Sequence, residues 1–422
     1  MKTAAVISEF NPFHNGHEYI LKEARKLSGA DYVIAIMSGN YVQRGEPAIF
    51  DKYKRAEMAL LCGADLVIEL PLVFAVSSAM EFAHAGVMTA IRSGVVDYLV
   101  FGTEDNINID YLTLCASCLM DESGDFQAKL KENIKAGMSY PLARERALSE
   151  SSDIDTSIIK TSNNILALSY IISLMEEKSY IKPLPVKRLG DGYNDSVFKD
   201  ETYASATAIR NIINKICTDS SYTQESVTEA LKKYVPEEAL SLYTEILCTH
   251  PYSKNRFTSS SEKLGYILNY ILLSKAFSDD ADFTDYNDIS KEISDRLINT
   301  SGSFLDFERR IAAVKTKQYT YTRIQRALLH IILNITDEEI TQKKEAGYAE
   351  YIRILGFRKE AAELLKAIKN SKMRENCPMI TNTASFRDIL KNDILRDNIY
   401  YSLIQEQDNH IKNEFERQIV II

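Results

Sequence analysis

Two histidines near the N-terminus have a spacing that would let both side chains bind the same phosphate group. They lie in the stretch Asn11-Pro12-Phe13-His14-Asn15-Gly16-His17, which follows an apolar run at residues 4–7 and precedes a helical pattern that begins near Glu18. A strand-to-helix turn of this kind presents free backbone N–H groups to an anion, and imidazoles three residues apart can face the same point. The alternative is a tight turn with two surface histidines, but the flanking strand and helix favour a phosphate site.

A second anion site is predicted much later in the chain. The segment Ala204-Ser205-Ala206-Thr207-Ala208-Ile209-Arg210 opens a helix that continues through Lys215. Ser205 or Thr207 can cap this helix, and its free N–H groups together with the Arg210 guanidinium can bind an anion. Two helix N-termini of this type suit a polyphosphate, so the two segments together predict a nucleotide site.

Short apolar strands alternate with helices through the first half of the chain. The pattern predicts strands at residues 4–7, 32–37, 65–70, 97–101 and 183–188. Such alternation indicates an α/β protein with a Rossmann-like doubly wound parallel sheet and helices on both faces. Ligands bind at the carboxyl ends of the strands in such sheets. Asn40, Gln43 and Arg44 follow the second strand, and Gly102 follows the fourth, so these residues are expected at that edge.

The length of 422 residues exceeds what one hydrophobic core usually serves, so two domains are expected. The composition, 45% hydrophobic and 26% charged, is that of a globular protein, and the net charge of -9 argues against a broadly basic surface. No apolar run approaches the ~18 residues of a membrane span, and the N-terminus does not resemble a signal peptide. We therefore expect a cytoplasmic protein with no membrane attachment.

Six scattered cysteines, including one isolated Cys115-Ala-Ser-Cys118 pair, favour free thiols over zinc.

A polar stretch that begins at Cys217 ends the alternation, and the second half has mostly helical patterns. Within this acidic protein, residues 307–326 contain six basic residues and one acidic residue. Basic side chains can hold phosphates while aromatic rings stack on unpaired bases, as single-stranded RNA requires. The alternative is a solvated helix end whose tyrosines pack inward. The RNA interpretation assigns binding to Lys315, Lys317, Tyr319, Tyr321 and Arg323.

These motifs resemble those of a known family. Residues 11–17 resemble the HxGH motif of the nucleotidyltransferase superfamily, and residues 205–210 resemble its late S/T-x-x-R motif. Four further segments extend the resemblance to the bacterial tRNA(Met) cytidine acetate ligase family: Ser38-Gly39-Asn40, Gln43-Arg44-Gly45-Glu46-Pro47-Ala48, Asp65-Leu66-Val67-Ile68-Glu69-Leu70-Pro71 and Asn163-Asn164-Ile165-Leu166. The resemblance implies a nucleotidyltransferase-type ATP-binding catalytic domain at residues 1–216, followed by a mostly α-helical tRNA-binding domain at residues 217–422.

The resemblance also implies an activity. The family forms acetyladenylate from ATP and acetate, then transfers the acetyl group to N4 of the wobble cytidine of elongator tRNA(Met), which gives N4-acetylcytidine. His14, His17 and Arg210 are the expected catalytic residues, because they would hydrogen-bond the phosphates and hold the departing pyrophosphate. The expected ATP contacts are Ile7, Ser8, Glu9, Phe10, Asn11, Pro12, Phe13, His14, Asn15, Gly16, His17, Glu18, Tyr19, Ile20, Gly102, Asn163, Arg188, Ser205 and Thr207.

Two positions depart from the family's pattern, since Asn194 stands where a histidine is expected and Ser162 where a proline is expected. We expect Mg²⁺ to bridge the triphosphate, but the sequence offers no carboxylate cage, so ATP and water would hold the metal. From the residues alone, two other classes stay open. One is an adenylyltransferase that acts on a small metabolite, and the other is a non-enzymatic, nucleotide-dependent RNA-binding protein.

Overall fold

The computed structural model describes residues 1–104, 106–120, 124–138, 140–151, 154–189, 203–218, 222–249, 256–278, 281–374, 376–404 and 412–422, so Asn194 lies outside the described residues. Within these ranges, no helix is both long enough and apolar enough to cross a membrane. The strands are β1 (Thr3–Ser8), β2 (Tyr32–Ser38), β3 (Tyr41–Val42), β4 (Glu46–Pro47), β5 (Leu66–Leu70), β6 (Tyr98–Thr103), β7 (Lys182–Lys187), β8 (Ile352–Phe357), β9 (Met379–Ile380) and β10 (Val420–Ile421).

The helices alternate with strands in the first half of the chain and dominate the second. They are α1 (Asn15–Ser28), α2 (Lys52–Leu61), α3 (Leu72–Ala75), α4 (Ala79–Ser93), α5 (Ile109–Met120), α6 (Gly124–Lys135), α7 (Tyr140–Ser151), α8 (Ser162–Glu176), α9 (Ala206–Thr218), α10 (Gln224–Leu231), α11 (Glu237–Thr249), α12 (Arg256–Ala276), α13 (Lys291–Asn299), α14 (Phe307–Val314), α15 (Tyr321–Leu333), α16 (Asp337–Glu345), α17 (Ala362–Asn370) and α18 (Lys391–Ile404).

One large sheet forms the centre of the molecule, in the order β10-β8-β5-β2-β1-β6-β7 with β9 beside β8. Strands β1, β2, β5, β6 and β7 are parallel to one another. In the centre, Ala5 of β1 pairs with Ile34 of β2 on one side and with Leu99 of β6 on the other. Helices cover both faces, which is why β2 is an unbroken buried apolar run rather than an alternating one. The predicted Rossmann-like doubly wound parallel sheet is therefore confirmed.

The second half of the chain also contributes to this sheet, whereas the sequence indicated helices there. Strand β8 pairs antiparallel with β5 and covers what would be its open edge, and β9 and β10 pair with β8. A short buried apolar run gives no period that separates a strand from a helix segment, so β8 was not predicted. Helix α9 also continues through the predicted boundary at residues 216–217. The division into two domains stays a prediction, and the sheet draws strands from both sides of it.

A buried cluster of charges joins the two halves beside this shared edge. Lys52 Nζ lies 2.5 Å from Asp397 Oδ2, 3.0 Å from Glu69 Oε1 and 3.3 Å from Glu414 Oε1. Arg353 of β8 pairs with Glu69 at 3.1 Å and also contacts Glu414. All five side chains are at most 5% exposed. Removing one member of such a cluster leaves an unpaired buried charge, so the cluster ties the C-terminal segments to the first half of the chain.

Candidate active site

The turn between β1 and α1 holds two histidines in fixed orientations. His14 is the N-cap of α1, and its Nδ1 accepts a hydrogen bond from the backbone N–H of Gly16 at 3.0 Å. One turn later, His17 Nδ1 accepts from the backbone N–H of His14 at 3.2 Å. The two imidazoles therefore make the reciprocal contacts of a capping box, and their rings stack with centroids 3.8 Å apart.

These contacts determine which ring nitrogen carries the proton. Since Nδ1 is an acceptor in both rings, each neutral imidazole must carry its hydrogen on Nε2. Burial, helped by the nearby charges of Arg188 and Arg210, lowers the pKa of His14 to about 3. Burial and the adjacent His14 lower the pKa of His17 well below its ordinary value. Near pH 7 both rings are neutral, and each has one N–H group that can donate to a ligand.

The start of α9 meets this turn across the sheet edge. Ser205 Oγ accepts a hydrogen bond from the N–H of Ala208 at 3.1 Å, so it caps the helix as predicted. Arg210 Nη1 donates to the Asn11 carbonyl at 2.7 Å, and Arg210 Nη2 donates to Thr207 Oγ1 at 3.1 Å. The two predicted phosphate motifs are therefore in direct contact, although 199 positions separate Asn11 from Arg210.

A second guanidinium comes from the end of β7 and lies against β6. A Cβ atom on Gly102 would be 2.9 Å from Arg188 Cγ, so glycine permits this close approach. Asn163, in the first turn of α8, accepts a hydrogen bond from Arg188 Nη1 at 3.1 Å and donates to the Glu104 carboxylate. Asn163 thus orients Arg188. The charge of Arg188 lies close enough to His14 to lower the pKa of His14.

The hairpin formed by β3 and β4, residues 41–47, contributes a further wall. Glu9 follows β1, and its Oε1 accepts a hydrogen bond from the N–H of Gln43 at 2.7 Å. Behind it, the fully buried Arg55 donates to the carbonyls of Glu9 at 2.6 Å, of Ser38 at 3.1 Å and of Gly39. Arg55 therefore fixes the loops at the carboxyl ends of β1 and β2, a role that its position in a helical pattern did not indicate.

Together these pieces line one cleft whose empty space, with its open mouth, is about 1390 Å³. The predicted residues that line the cleft are Ile7, Ser8, Glu9, Phe10, Asn11, His14, Gly16, His17, Tyr19, Ile20, Gly102, Asn163, Arg188, Ser205, Thr207 and Arg210.

Four predicted ATP contacts do not line the cleft, namely Pro12, Phe13, Asn15 and Glu18. Asn15 Nδ2 instead donates to the carbonyl of Lys233 at 2.9 Å, which connects the turn to the end of α10. A helix can direct only one face towards a ligand, which accounts for Asn15 and Glu18 of α1. The assignment of residues 7–20 to ATP stays a prediction.

Several lining residues were not predicted. Gln43 and Arg44 stood out as polar groups near the strand ends, but they were not assigned as contacts. Phe82 and Tyr170 also line the cleft, and both are almost completely buried. Aromatic residues on apolar helix faces have the pattern of core residues, so sequence alone gave no signal for them.

The predicted RNA-binding residues lie in the linker between α14 and α15 and in the first turn of α15. Lys315, Lys317 and Tyr321 are exposed to solvent. Tyr319 is half-buried, with the Arg323 guanidinium 4.9 Å above the centre of its ring. The segment therefore combines exposed cations with one accessible ring, while Tyr319 supports Arg323.

This basic segment adjoins the cleft. A Cβ atom on Gly45 would lie 2.7 Å from the backbone N of Arg326, so the hairpin packs directly on α15. Glu46 of the same hairpin lines the cleft, and its charge also acts on Tyr321. The same hairpin therefore contacts both α15, which follows the basic segment, and the cleft that holds the phosphate motifs.

Metal-binding chemistry has no dedicated site in the described part of the chain. There, no group of three or more His, Cys, Asp or Glu side chains could hold a metal ion. Cys115 and Cys118 are free thiols, as are the other four cysteines. Any metal at the cleft would depend on ligands that a bound nucleotide brings.

The cleft, its two helix N-termini and the parallel sheet define a nucleotidyltransferase of the HIGH type. The family described as HIGH Nucleotidyl Transferase matches residues 1–415. A tRNA(Met) cytidine acetate ligase from Thermoanaerobacter sp. (strain X514) is 37% identical over 395 residues, which cover 93% of this chain and 91% of that protein. Another, from Clostridium tetani (strain Massachusetts / E88), is 34% identical over 432 residues and 100% of both chains. The chain belongs to the tRNA(Met) cytidine acetate ligase family.

Solved structures agree with this membership. The crystal structure of Thermotoga maritima TmcAL bound with alpha-thio ATP has a TM-score of 0.84 and 29% identity, and the match covers 100% of both chains. The apo form of the same protein gives a TM-score of 0.86 with 30% identity, again over 100% of both chains. These relatives favour neither the metabolite adenylyltransferase nor the non-enzymatic RNA-binding protein that the residues alone left open.

Proposed function

We propose that this chain is an ATP-dependent tRNA acetate ligase. It activates acetate as acetyladenylate and transfers the acetyl group to N4 of the wobble cytidine of elongator tRNA(Met), which gives N4-acetylcytidine. The observation that carries the proposal is the 2.7 Å contact between the two phosphate motifs, Arg210 Nη1 to Asn11 O, in a chain whose relatives are named tRNA(Met) cytidine acetate ligases.

In the first step, an acetate oxygen attacks the α-phosphorus of ATP and pyrophosphate leaves. The protein supplies position and charge stabilisation for such an in-line displacement, and no protein nucleophile is required. His14 and His17 donate through Nε2 to phosphate oxygens as negative charge develops. Arg210 and the N–H groups at the start of α9 hold the departing pyrophosphate, because a helix N-terminus and a guanidinium both favour anions.

In the second step, the N4 amino group of cytidine attacks the acetyl carbon and AMP leaves. The anticodon loop would reach the cleft past the hairpin, with its phosphates held by Lys315, Lys317 and Arg323. Tyr321, which is exposed, would stack on an unpaired base. The supporting observation is that the hairpin packs on α15 at Gly45 while Gln43, Arg44 and Glu46 line the cleft.

Mg²⁺ is proposed to accompany ATP. Since the described residues include no cluster of metal ligands, the ion would be held by phosphate oxygens and water, as Mg²⁺ commonly is in nucleotide sites. It would neutralise part of the triphosphate charge, and the protein groups named above would do the positioning.

The first test is acetate-dependent exchange of labelled pyrophosphate into ATP, without tRNA. A ligase that forms acetyladenylate reversibly incorporates the label only when acetate is present. Exchange that proceeds without acetate, or only with a different carboxylate, would contradict the proposed substrate. No exchange with any carboxylate would contradict adenylate formation itself.

A further inference from the structure

One acidic side chain stands out among the basic groups of the cleft. Glu9 lines it directly after β1, where its Oε1 accepts the N–H of Gln43. Within the described part of the chain its other oxygen, Oε2, makes no hydrogen bond. Glu9 was expected among the ATP contacts, but a carboxylate repels a triphosphate and is better suited to a group that donates hydrogen bonds.

Glu9 shares one charged neighbour with the phosphate motifs, but its other charged neighbours differ from those of His14. The charges of Arg210, Glu46 and Arg44 act on Glu9, whereas those of Arg188 and Arg210 act on His14. Arg210 is thus common to both groups, and Glu9 lies on the side of the hairpin. That side is also the one that adjoins α15 and the basic segment, through the contact at Gly45.

This part of the cleft has the features of a pocket for a flat base. The aromatic side chains of Phe82 and Tyr170 line the cleft together with Gln43 and Arg44 of the hairpin, and Tyr170 is near enough to Glu9 for its pKa to respond to the Glu9 charge. The Gln43 side chain is itself anchored, because its Nε2 donates to the Ser77 carbonyl at 3.4 Å. Carboxylates recognise cytosine by accepting a hydrogen bond from its N4 amino group.

We propose that Glu9 binds the N4 amino group of the target cytosine and acts as the general base for acetyl transfer. The inference rests on the proposed function and assigns the second substrate to a particular side of the cleft. As the N4–C bond forms, the bond between the acetyl carbon and the AMP oxygen breaks. The electron pair of that bond leaves with AMP, and one N4 proton passes to the Glu9 carboxylate.

The electrostatics of the site suit this role. Burial raises the pKa of Glu9 above its ordinary value, opposed by the hydrogen bond from Gln43 and by the charge of Arg210. A carboxylate with a raised pKa is a stronger base. The charges that face Glu9 are Arg210, Glu46 and Arg44, and the buried Tyr170 hydroxyl is also near it.

The test separates the two half-reactions in Glu9→Gln, which keeps an oxygen that can accept the Gln43 N–H. Acetyl transfer to tRNA is measured in a single turnover, and adenylate formation by acetate-dependent pyrophosphate exchange. General bases contribute about 10²–10⁴-fold, so we expect transfer to fall by at least about 100-fold while exchange falls far less. Acetyladenylate should accumulate in the variant.

Three further readouts exclude a purely structural effect. Transfer by the wild type should rise with pH as Glu9 ionises, and this dependence should disappear in Glu9→Gln. Glu9→Asp should recover part of the transfer rate. Glu46→Gln, which removes the other carboxylate of the same wall, should reduce transfer less than Glu9→Gln does.

Two results would overturn the inference. Equal losses of exchange and transfer in Glu9→Gln would mean that Glu9 serves ATP, and unchanged transfer would mean that it serves neither step. A wild-type protein without acetate-dependent exchange would instead refute the proposed function, and the inference with it, before any variant is made.

Discussion

At the scale of single residues, the chemistry of the cleft depends on backbone hydrogen bonds that fix two rings. Because Nδ1 of both His14 and His17 is occupied by an N–H donor, the only hydrogen each neutral ring can offer is at Nε2. A histidine held in this way needs no reorganisation when charge develops on a phosphate, which is the condition for efficient electrostatic catalysis.

The first prediction concerns the donor on His17. His17→Ala removes one Nε2–H group, and loss of such a preorganised donor typically costs about 10²–10³ in rate. We expect acetate-dependent pyrophosphate exchange to fall by about that factor in a variant that still folds, although loss of the capping contact to the His14 N–H lowers its thermal unfolding midpoint. Exchange within a few-fold of the wild type in a folded variant would contradict the assignment.

The second prediction is a pH dependence of stability that arises from His14. The unfolded chain takes up a proton on this residue near pH 6.5, whereas the folded protein does so only at about 3. Between these values the unfolded state binds more protons, so the free energy of unfolding falls as the pH falls. At pH 5 the loss from His14 is about 2 kcal/mol.

The matched variant for this measurement is His14→Asn, because asparagine is a favoured N-cap that does not titrate. Urea unfolding at pH 7.5 and pH 5 should show a larger loss of stability in the wild type than in His14→Asn. Parallel pH dependences in the two proteins would show that His14 is not held neutral.

Residue types and spacing predicted the histidine turn, Arg210 and the Ser205 cap, because these depend on local chain geometry. They did not predict which neighbours of the turn face inward. Phe13 is fully buried and its carbonyl accepts a hydrogen bond from the Tyr243 hydroxyl. Contacts of this kind come from segments far away in the sequence, and a local pattern contains no information about them.

At the scale of elements, the hairpin at residues 41–47 connects the cleft to the basic segment. Gly45 has a φ of +85°, and a Cβ atom there would lie within 3 Å of the backbone of Gln325 and Arg326. Both the left-handed backbone and the close packing on α15 require glycine.

The third prediction is that Gly45→Ala separates the hairpin from α15. Left-handed strain and overpacking each cost about 1–3 kcal/mol, so the free energy of unfolding should fall by at least about 1 kcal/mol, and tRNA acetylation should fall more than exchange. Gly302→Ala is the control, because a Cβ atom there would have no neighbour within 4 Å. Equal behaviour of the two variants would show that the hairpin does not depend on this contact.

The first-half strands were predictable because alternating apolar runs and helix caps are local signals, and Asp51, Ser78 and Gly29 cap helices in this half. Strands β8, β9 and β10 were not. Strands β9 and β10 have only two residues each. The six-residue β8 is a buried apolar run with no period that separates a strand from a helix segment. Their assignment therefore follows from pairing with β5 and with one another.

At the scale of the whole molecule, the catalytic half and the second half share a sheet and a buried charge cluster. Lys52 and Glu69 of the first half depend on Arg353, Asp397 and Glu414 of the second. The second half is therefore tied to the first by buried ion pairs as well as by strand pairing.

The fourth prediction tests the basic segment. In the triple variant Lys315→Ala, Lys317→Ala and Arg323→Ala, tRNA binding should weaken and should depend less steeply on salt. Removing one cation from a phosphate reduces the slope of the logarithm of affinity against the logarithm of salt concentration by roughly 0.7–0.9. Exchange without tRNA should be retained, since these side chains lie outside the cleft lining.

The control for that variant removes the same charge from the opposite edge of the sheet, with Lys359→Ala, Lys366→Ala and Lys372→Ala. These three side chains are exposed, and residue 358 donates its N–H to the carbonyl of Asp65 at the amino end of β5, remote from the cleft. If both triple variants lower tRNA affinity and salt slope equally, the effect is one of net charge and the segment is not the binding site.

The most direct test of the central claim is mass analysis of tRNA nucleosides after incubation of the purified protein with elongator tRNA(Met), ATP and isotopically labelled acetate. The account predicts labelled N4-acetylcytidine that requires both ATP and acetate and that disappears with His17→Ala. Absence of labelled acetylcytidine with the wild-type protein, or its formation without ATP, would contradict the account.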